Sequence, residues 1–360
     1  MFFVVFINFF LILFLNLLSL FLFLFLMERM ELEKILPIEG NKVLIMWNWS
    51  YRNMGDELIL LWTIRLLQKQ WKDVVVSAYD VDWLKWFFSQ FTDLKPITYV
   101  HEFPKWVRSF CKYFFSKIKR ELRIYKSVDS VIIWWWEILT EESPNSYWYW
   151  LAGLLPFGFK MDKINIYLMW GIQIPEKKWN IMLFDYLLSR VKYIYARDNE
   201  SVEALHEYWF KNAEFFIDTS WFAYSWNWIK REAEHGKVAL INLNKNGEKF
   251  FDDLVLQCES LLSNWYTIKY VPVSKWSNRV YNDLYYKEVL EKRLLTKFEV
   301  LDWEESFANF AQNVKNADIV VTARLHLFLV ASFLGVETKV YPYQMKILKM
   351  KKIIQDFSEE

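Results

Sequence analysis

Short runs of β-branched and aromatic residues alternate with amphipathic stretches along almost the whole chain, and this alternation limits the fold more than any other feature. Lys42–Met46 reads as a buried strand and 56–70 as a helix, with Leu58, Leu61, Ile64 and Leu66 at helical spacing. Asp73–Ala78, 130–133, 163–169 and Val191–Ala196 read as further strands, and 200–208 as a helix. After the polar segment 230–236 the pattern restarts. Strands are expected at 237–242, 267–273, 318–322 and 339–341, and helices at 249–263, Phe307–Asn316 and 327–334. Continuous apolar strands separated by helices predict an α/β fold with parallel sheets covered on both faces. The expected division is a leader (1–35), an N-terminal domain (36–229), a linker (230–236) and a C-terminal domain (237–360).

Length and composition agree with that organisation. A chain of 360 residues accommodates two domains, and 54% hydrophobic with 24% charged residues gives sizeable cores. The 44 basic and 43 acidic residues nearly cancel, and no basic run stands out, so the chain lacks the electrostatic footprint of a nucleic-acid binder. Cys111 and Cys258 are too few for a disulfide framework and match no metal-ligand spacing, which predicts a reducing compartment and no required metal or cofactor. Residues 1–26 are apolar apart from Asn8, Asn16 and Ser19, long enough for a membrane-spanning helix of about 20 residues. They lack a basic n-region, and the flank 28–34 carries no excess of Lys or Arg to orient a span. Such Phe and Leu runs also arise when T-rich upstream DNA is translated, and Met27 or Met30 would then be the start; this second reading is the favoured one. A cytoplasmic protein is expected, at the inner face of the membrane if the leader is retained.

The chain holds 21 Trp but only 8 Gly, far below the usual roughly 7% glycine. The tryptophans fall where glycine is normally needed. The strand at Lys42–Met46 runs into Trp47-Asn48-Trp49, the strand at 130–133 into Trp134-Trp135-Trp136-Glu137, and the strand at 163–169 into Trp170-Gly171. Strand-end loops of this kind line the ligand crevice of a doubly wound sheet, where the backbone must approach the ligand closely. Trp71, Trp209 and Trp265 follow predicted helices at the C′ position, where Gly dominates because the backbone is left-handed. Aromatic stacking loops are the alternative, but stacking gives no reason for three consecutive Trp or for Trp at helix ends. The placement implies UGA codons that the source organism reads as glycine. Trp148, Trp150, Trp221 and Trp303 stand apart from this pattern and can be genuine.

With glycine at those positions, 47–57 becomes Gly-Asn-Gly-Ser-Tyr-Arg-Asn-Met-Gly-Asp-Glu and 134–137 becomes Gly-Gly-Gly-Glu. Together with Ala196-Arg197-Asp198-Asn199-Glu200-Ser201, Asp218-Thr219-Ser220 and Ala323-Arg324-Leu325-His326, the chain resembles the polysaccharide pyruvyltransferase family over about residues 42–345. Thr219 departs from the proline often found there in the family. The resemblance implies two Rossmann-like, glycosyltransferase-B-like domains with a cleft between them, the N-terminal one on the acceptor side and the C-terminal one on the donor side. It implies transfer of a pyruvyl group from phosphoenolpyruvate to a sugar of a cell-surface polysaccharide, forming a ketal. The partners are then phosphoenolpyruvate and a glycan or lipid-linked sugar, with residues 1–26 as a route to the membrane.

That chemistry requires a cation for the donor's carboxylate and phosphate, an acid for its methylene carbon and a base for the sugar hydroxyl. Arg324 suits the first role by its fork, His326 is the acid/base candidate because it titrates near neutrality, and Asp56 completes the catalytic set. Substrate-binding candidates are Asn53, Gly55, Glu57, Trp47, Trp49, Trp134, Trp135, Trp136, Glu137, Gly171, Arg197 and Leu325. Each has a structural rival. Arg324 can cap a carboxylate of the fold, His326 can be a core histidine, Arg197 can pair with Asp198, and Asp56 and Glu57 can serve the dipole of a helix start. His101, His206 and His235 lie in no motif and read as surface residues. Because strand-end loops carry little core packing, changes at Arg324 and His326 are expected to cut turnover with little effect on stability. Two other functions stay open: a nucleotide-sugar-dependent glycosyltransferase of the same fold, and a membrane-anchored sugar-binding protein without catalysis.

Overall fold

The computed structural model describes residues 36–46, 50–102, 118–134, 165–170, 174–196, 198–216, 229–232, 236–276, 281–342 and 347. The first sheet holds β1 (Lys42–Met46), β2 (Asp73–Ala78), β3 (Thr98–His101), β4 (Ser130–Trp134), β5 (Asn165–Trp170), β6 (Val191–Ala196) and β7 (Ala213–Phe215). Its order is β3-β2-β1-β4-β5-β6-β7, and every pairing is parallel. The helices among them are α1 (Met54–Lys69), α2 (Val81–Phe88), α3 (Ile118–Tyr125), α4 (Lys178–Leu188) and α5 (Asn199–Tyr208).

A second parallel sheet follows, with β8 (Val238–Asn242), β9 (Thr267–Tyr270), β10 (Glu299–Val300), β11 (Ile319–Thr322) and β12 (Glu337–Val340) in the order β10-β9-β8-β11-β12. Its helices are α6 (Phe251–Ser263), entered through a 3₁₀ turn at Lys245–Phe250, then α7 (Asp283–Leu294), α8 (Phe307–Asn316) and α9 (Leu325–Phe333). The strand order reverses between β1 and β4 in one sheet and between β8 and β11 in the other. Ligands of such sheets bind at the carboxyl ends of the strands beside that reversal. The loops after β1 and β11 carry the Asn53–Glu57 and Arg324–His326 motifs, so both motifs stand at a switch point.

The two halves share a large apolar core, and the second half has a smaller one of its own around Leu254, Tyr270 and Leu290. Strand residues Leu44 and Ile45 of the first sheet and Trp303, Phe307, Phe310 and Leu327 of the second half belong to the same buried cluster. Phe87 of α2 meets the Trp303 ring edge-on at 5.4 Å, and the Trp303 indole donates to the Pro272 carbonyl at 2.9 Å. Trp303 is fully buried with its one polar atom satisfied, so its site is shaped for tryptophan. Gln90, just beyond α2, donates to the Glu304 carbonyl at 2.9 Å and accepts from the Phe307 amide at 3.0 Å. β9 ends at Tyr270, short of the expected 273, because the chain there turns to the other half, where the Val273 carbonyl accepts from Met54 at 2.9 Å.

Helix ends carry the second result of the sequence reading. Trp71 (φ 61°) and Trp265 (φ 64°) directly follow the C-caps of α1 and α6, and Trp209 (φ 152°) is itself the C-cap of α5. All three have positive φ, which costs an L side chain roughly 1–2 kcal/mol. Around Trp71 the Lys72 amide donates to Leu67 and the Trp71 amide to Gln68; around Trp265 the Tyr266 amide donates to Leu261 and the Trp265 amide to Leu262. This is the Schellman arrangement, in which the left-handed residue is usually Gly. The end of α9 has the same pair of bonds, from Val336 to Ala331 and from Gly335 to Ser332, and there the left-handed residue is Gly335 (φ 69°). Leu295 (φ 51°), the C-cap of α7, is a left-handed helix end with neither Gly nor Trp.

Among the described residues no helix is long and apolar enough to cross a membrane, and the leader lies outside them.

Candidate functional site

The loop after β1 is fixed by its own backbone and by a buried acid beneath it. Ser50 (φ 70°) and Arg52 (φ 58°) are both left-handed. The Glu57 carboxylate, fully buried, accepts from the Ser50 amide at 2.8 Å, and the Ser50 hydroxyl accepts from the Asp80 amide at 2.7 Å. Asn53 caps α1: its side-chain oxygen accepts from the Gly55 amide at 3.3 Å, and its amide nitrogen donates to Asp56 at 2.9 Å. These bonds satisfy donors that an uncapped helix start leaves open.

This loop is stitched to the segment after β9. Asn53 and Ser274 form an antiparallel bridge, Met54 donates to Val273, and Lys275 donates to Arg52, the last two at 2.9 Å. The stitch brings the two motifs together. Gly55 lies directly against the His326 imidazole; a Cβ at Gly55 would sit 2.0 Å from Nδ1, which no arrangement of atoms tolerates. Glycine at 55 is therefore required by close approach rather than by its backbone angles. His326 is buried at the start of α9, and Leu325 beside it is buried as well.

Arg324 occupies the N-cap position of α9, its own amide donating to the Thr322 hydroxyl at 2.9 Å. Its guanidinium grips Asp283 with two prongs, Nη2 to Oδ1 at 2.6 Å and Nε to Oδ2 at 3.2 Å. Asp283 is completely buried, and its Oδ2 also accepts from Asn242 (2.9 Å) and from the amides of Val273 (3.0 Å) and Ser274 (3.1 Å). One carboxylate thus ties β8, the seam segment and Arg324 into a single network. Sequence reasoning missed Asp283, because the helix it opens shows no clean apolar stripe and its partner Arg324 lies 41 positions away.

A second charged group lines the seam. Lys275 reaches Asp302 at 2.5 Å and Glu304 at 3.2 Å, and Arg52 stands 4.0 Å from Glu304. Burial pushes the Glu304 carboxyl above its usual range, with Lys275 opposing the shift. Glu57 is pushed well up, first by burial and then by the charge of Asp56, with the Ser50 amide pulling the other way. A carboxyl with a raised folded pKa favours the fold while protonated and weakens it as pH climbs from the unfolded value toward the folded one. Glu57→Gln removes that titration and keeps the oxygen that accepts from Ser50. The variant is expected to gain on the wild type in thermal midpoint as pH rises above the ordinary carboxylate range. A midpoint difference that stays flat from acid to neutral pH would show that Glu57 does not carry this charge.

The structure places the other expected residues as follows. Asp56 is buried and bound to Asn53, and Glu57 lies under the loop rather than facing the cleft. Trp134 is buried at the end of β4. Trp47, Trp49, Trp135, Trp136, Glu137, Gly171 and Arg197 lie outside the described residues. His101 pairs with Glu121 at 2.7 Å, and His206 reaches the Ala213 carbonyl at 3.0 Å.

Two parallel α/β sheets meeting at a seam, with motif loops at both switch points, define a glycosyltransferase-B-like fold. Solved structures share it. A UDP-GlcNAc 2-epimerase from Methanocaldococcus jannaschii matches with a TM-score of 0.51 at 14% identity, covering 87% of this chain and 92% of the other. A UDP-GlcNAc 2-epimerase from Neisseria meningitidis, solved bound to UDP-GlcNAc, matches at 0.51 and 13%, covering 88% and 90%. A glycosyltransferase from Rickettsia africae matches at 0.53 and 10%, covering 84% and 79%. No curated protein matches the chain by sequence. The family model for polysaccharide pyruvyl transferase matches residues 53–344, and the chain belongs to that family. It is a polysaccharide-modifying enzyme of a transferase family.

Proposed function

We propose that the protein transfers a pyruvyl group from phosphoenolpyruvate to a sugar of a cell-surface polysaccharide or its lipid-linked precursor. The observation that carries this reading is the meeting of Gly55 with His326 at the seam, which joins the two motifs on which the family resemblance rests. In the reaction His326 delivers a proton to the methylene carbon of the donor, and a sugar hydroxyl adds to the adjacent carbon. The first hydroxyl's proton returns to the His326 imidazole, and phosphate then leaves with the proton of a second hydroxyl as that hydroxyl closes the ketal. Arg324, held in one orientation by Asp283, offers the fixed cation for the donor's anionic groups. The C-terminal half is then the donor side and the N-terminal half the acceptor side. Phosphoenolpyruvate is a substrate, and no separate cofactor is invoked.

The test is release of inorganic phosphate from phosphoenolpyruvate that depends on added glycan acceptor, with the ketal detected on the product. Nucleotide release from a nucleotide sugar, with phosphoenolpyruvate untouched, would instead make the protein a glycosyltransferase of the same fold. Binding of glycan with turnover of neither donor would make it a sugar-binding protein.

The tryptophans bear on which polypeptide performs the reaction. We infer that Trp71, Trp209 and Trp265 are glycines in the native protein, decoded from UGA. The support is their positive φ at helix ends and, for Trp71 and Trp265, the hydrogen-bonded turn that they share with Gly335. Trp47, Trp49, Trp134, Trp135, Trp136 and Trp170 belong to the same proposal on sequence grounds. The buried, hydrogen-bonded Trp303 does not.

A further inference from the structure

Beside the seam a row of aromatic rings crosses from one half of the molecule to the other. Tyr79 follows β2 and is 66% exposed, and its ring stacks on Tyr51 at 5.1 Å with 18° between the planes. Trp276 stands edge-on to Tyr51 at 6.3 Å and packs against Tyr281 at 5.5 Å. Tyr281 and Trp276 are both exposed. Glu102, just after β3, meets the Tyr51 hydroxyl at 3.4 Å. Tyr51, Tyr79 and Glu102 therefore all sit at carboxyl ends of first-sheet strands, where an open α/β sheet binds its ligand.

The row is coupled to the motifs through very little chain. Tyr51 is two residues from Asn53, and Trp276 is two residues from Ser274, the two partners of the bridge. Two extended residues span about 7 Å. The Ser274 amide in turn holds Asp283, which holds Arg324. Exposed aromatic faces interleaved with phenol hydroxyls suit a ligand with an apolar ring face and a polar rim. A pyranose has both: C–H faces that stack, and hydroxyls that pair with phenol hydroxyls.

We propose that Tyr79, Tyr51 and Tyr281 form a ledge that seats a pyranose ring of the acceptor glycan. The proposal rests on the acceptor being a glycan and adds where it binds. The ledge presents the sugar from the first-sheet side while Arg324 and His326 address the donor from the second. Its test uses the tyrosines alone, since their identity does not depend on how UGA is read.

Saturation-transfer NMR with the methyl glycosides of glucose, galactose, mannose and N-acetylglucosamine reads sugar binding directly. A phosphoenolpyruvate-induced rise in thermal midpoint reads the donor site separately. At least one glycoside is expected to bind, with affinity about tenfold weaker in Tyr79→Ala and in Tyr281→Ala. Tyr51→Phe keeps the ring and is expected to retain most binding. The phosphoenolpyruvate shift should persist in all three variants. Sugar binding that is unchanged in both alanine variants overturns the ledge, as does binding of no glycoside by protein that still responds to phosphoenolpyruvate. Preferential binding of UMP on the same tyrosines would make the ledge a nucleobase seat and overturn it too. If sugar binding follows the tyrosines while phosphoenolpyruvate gives no shift and no turnover, the ledge stands and the pyruvyl-transfer reading fails.

Discussion

Replacing Trp71, Trp209 and Trp265 together by glycine is expected to stabilise the protein, whereas replacing the same three by alanine is not. Each site holds an L residue at positive φ, and relief of that strain is worth roughly 1–2 kcal/mol per site. Opposing terms are smaller. Glycine adds unfolded-state freedom worth about 0.4–1 kcal/mol. Trp71 gives up the Lys95 ammonium 3.9 Å above its ring, and Trp209 gives up a 3.2 Å hydrogen bond to Asp185. Trp265 is 89% exposed and should show the largest net gain. The triple glycine variant should gain about 2 kcal/mol, or several degrees in thermal midpoint. Alanine keeps the Cβ that causes the strain, so the alanine triple should match or fall below the parent. Equal effects from glycine and alanine would trace the gain to loss of the indoles and remove the structural support for recoding. Peptide mass spectrometry of protein from the source organism addresses the same question directly, and tryptophan found at 71, 209 and 265 would end the proposal.

Arg324→Ala should be the most damaging single change at the seam, and it should act on stability as well as on turnover. The expectation from sequence was that strand-end residues carry little packing, so that such changes spare stability. The structure overturns this for Arg324, because its partner Asp283 is completely buried and would be left as an uncompensated charge. Breaking a buried pair from one side costs about 3–5 kcal/mol. Adding Asp283→Asn to Arg324→Ala removes the stranded charge, and much of the midpoint should return. Turnover should not return, because the cation for the donor is still missing. If the double variant recovers both, Arg324 serves only the fold. If Arg324→Ala alone keeps the parental midpoint, the Asp283 network is weaker than its geometry indicates.

What the sequence made legible follows from how sharply each residue's environment is dictated. The limits of β1, β2 and β6 fall where they were read, because buried strands are apolar runs bounded by polar residues. The left-handed helix ends were legible through Trp71, Trp209 and Trp265, since position alone specifies the backbone there. Helix α7 was not read: its sequence Asp-Leu-Tyr-Tyr-Lys-Glu-Val-Leu-Glu-Lys-Arg-Leu shows no clean apolar stripe, and tertiary packing of Tyr286 and Leu290 decides it. The edge strands β3 and β10 are too short to show a period. At the site, the pairing of Arg-Leu-His with Asn-x-Gly-Asp-Glu came from resemblance, and the structure supplies its physical form as the Gly55–His326 contact. The bond from Arg324 to Asp283 spans 41 positions, a separation over which local pattern carries no information.

The seam also governs whether the two halves can exist apart. Trp303, Phe307 and Phe310 of the second half complete the core beneath the first sheet, and the bridge at Asn53 and Ser274 joins the halves through backbone. A protease cutting between Phe215 and Val238 would sever the connection between the sheets without freeing either one. Each released piece would carry an uncovered aromatic face where the other had been. The nicked protein should therefore stay associated, its severed halves acting as complementary fragments rather than as excisable modules.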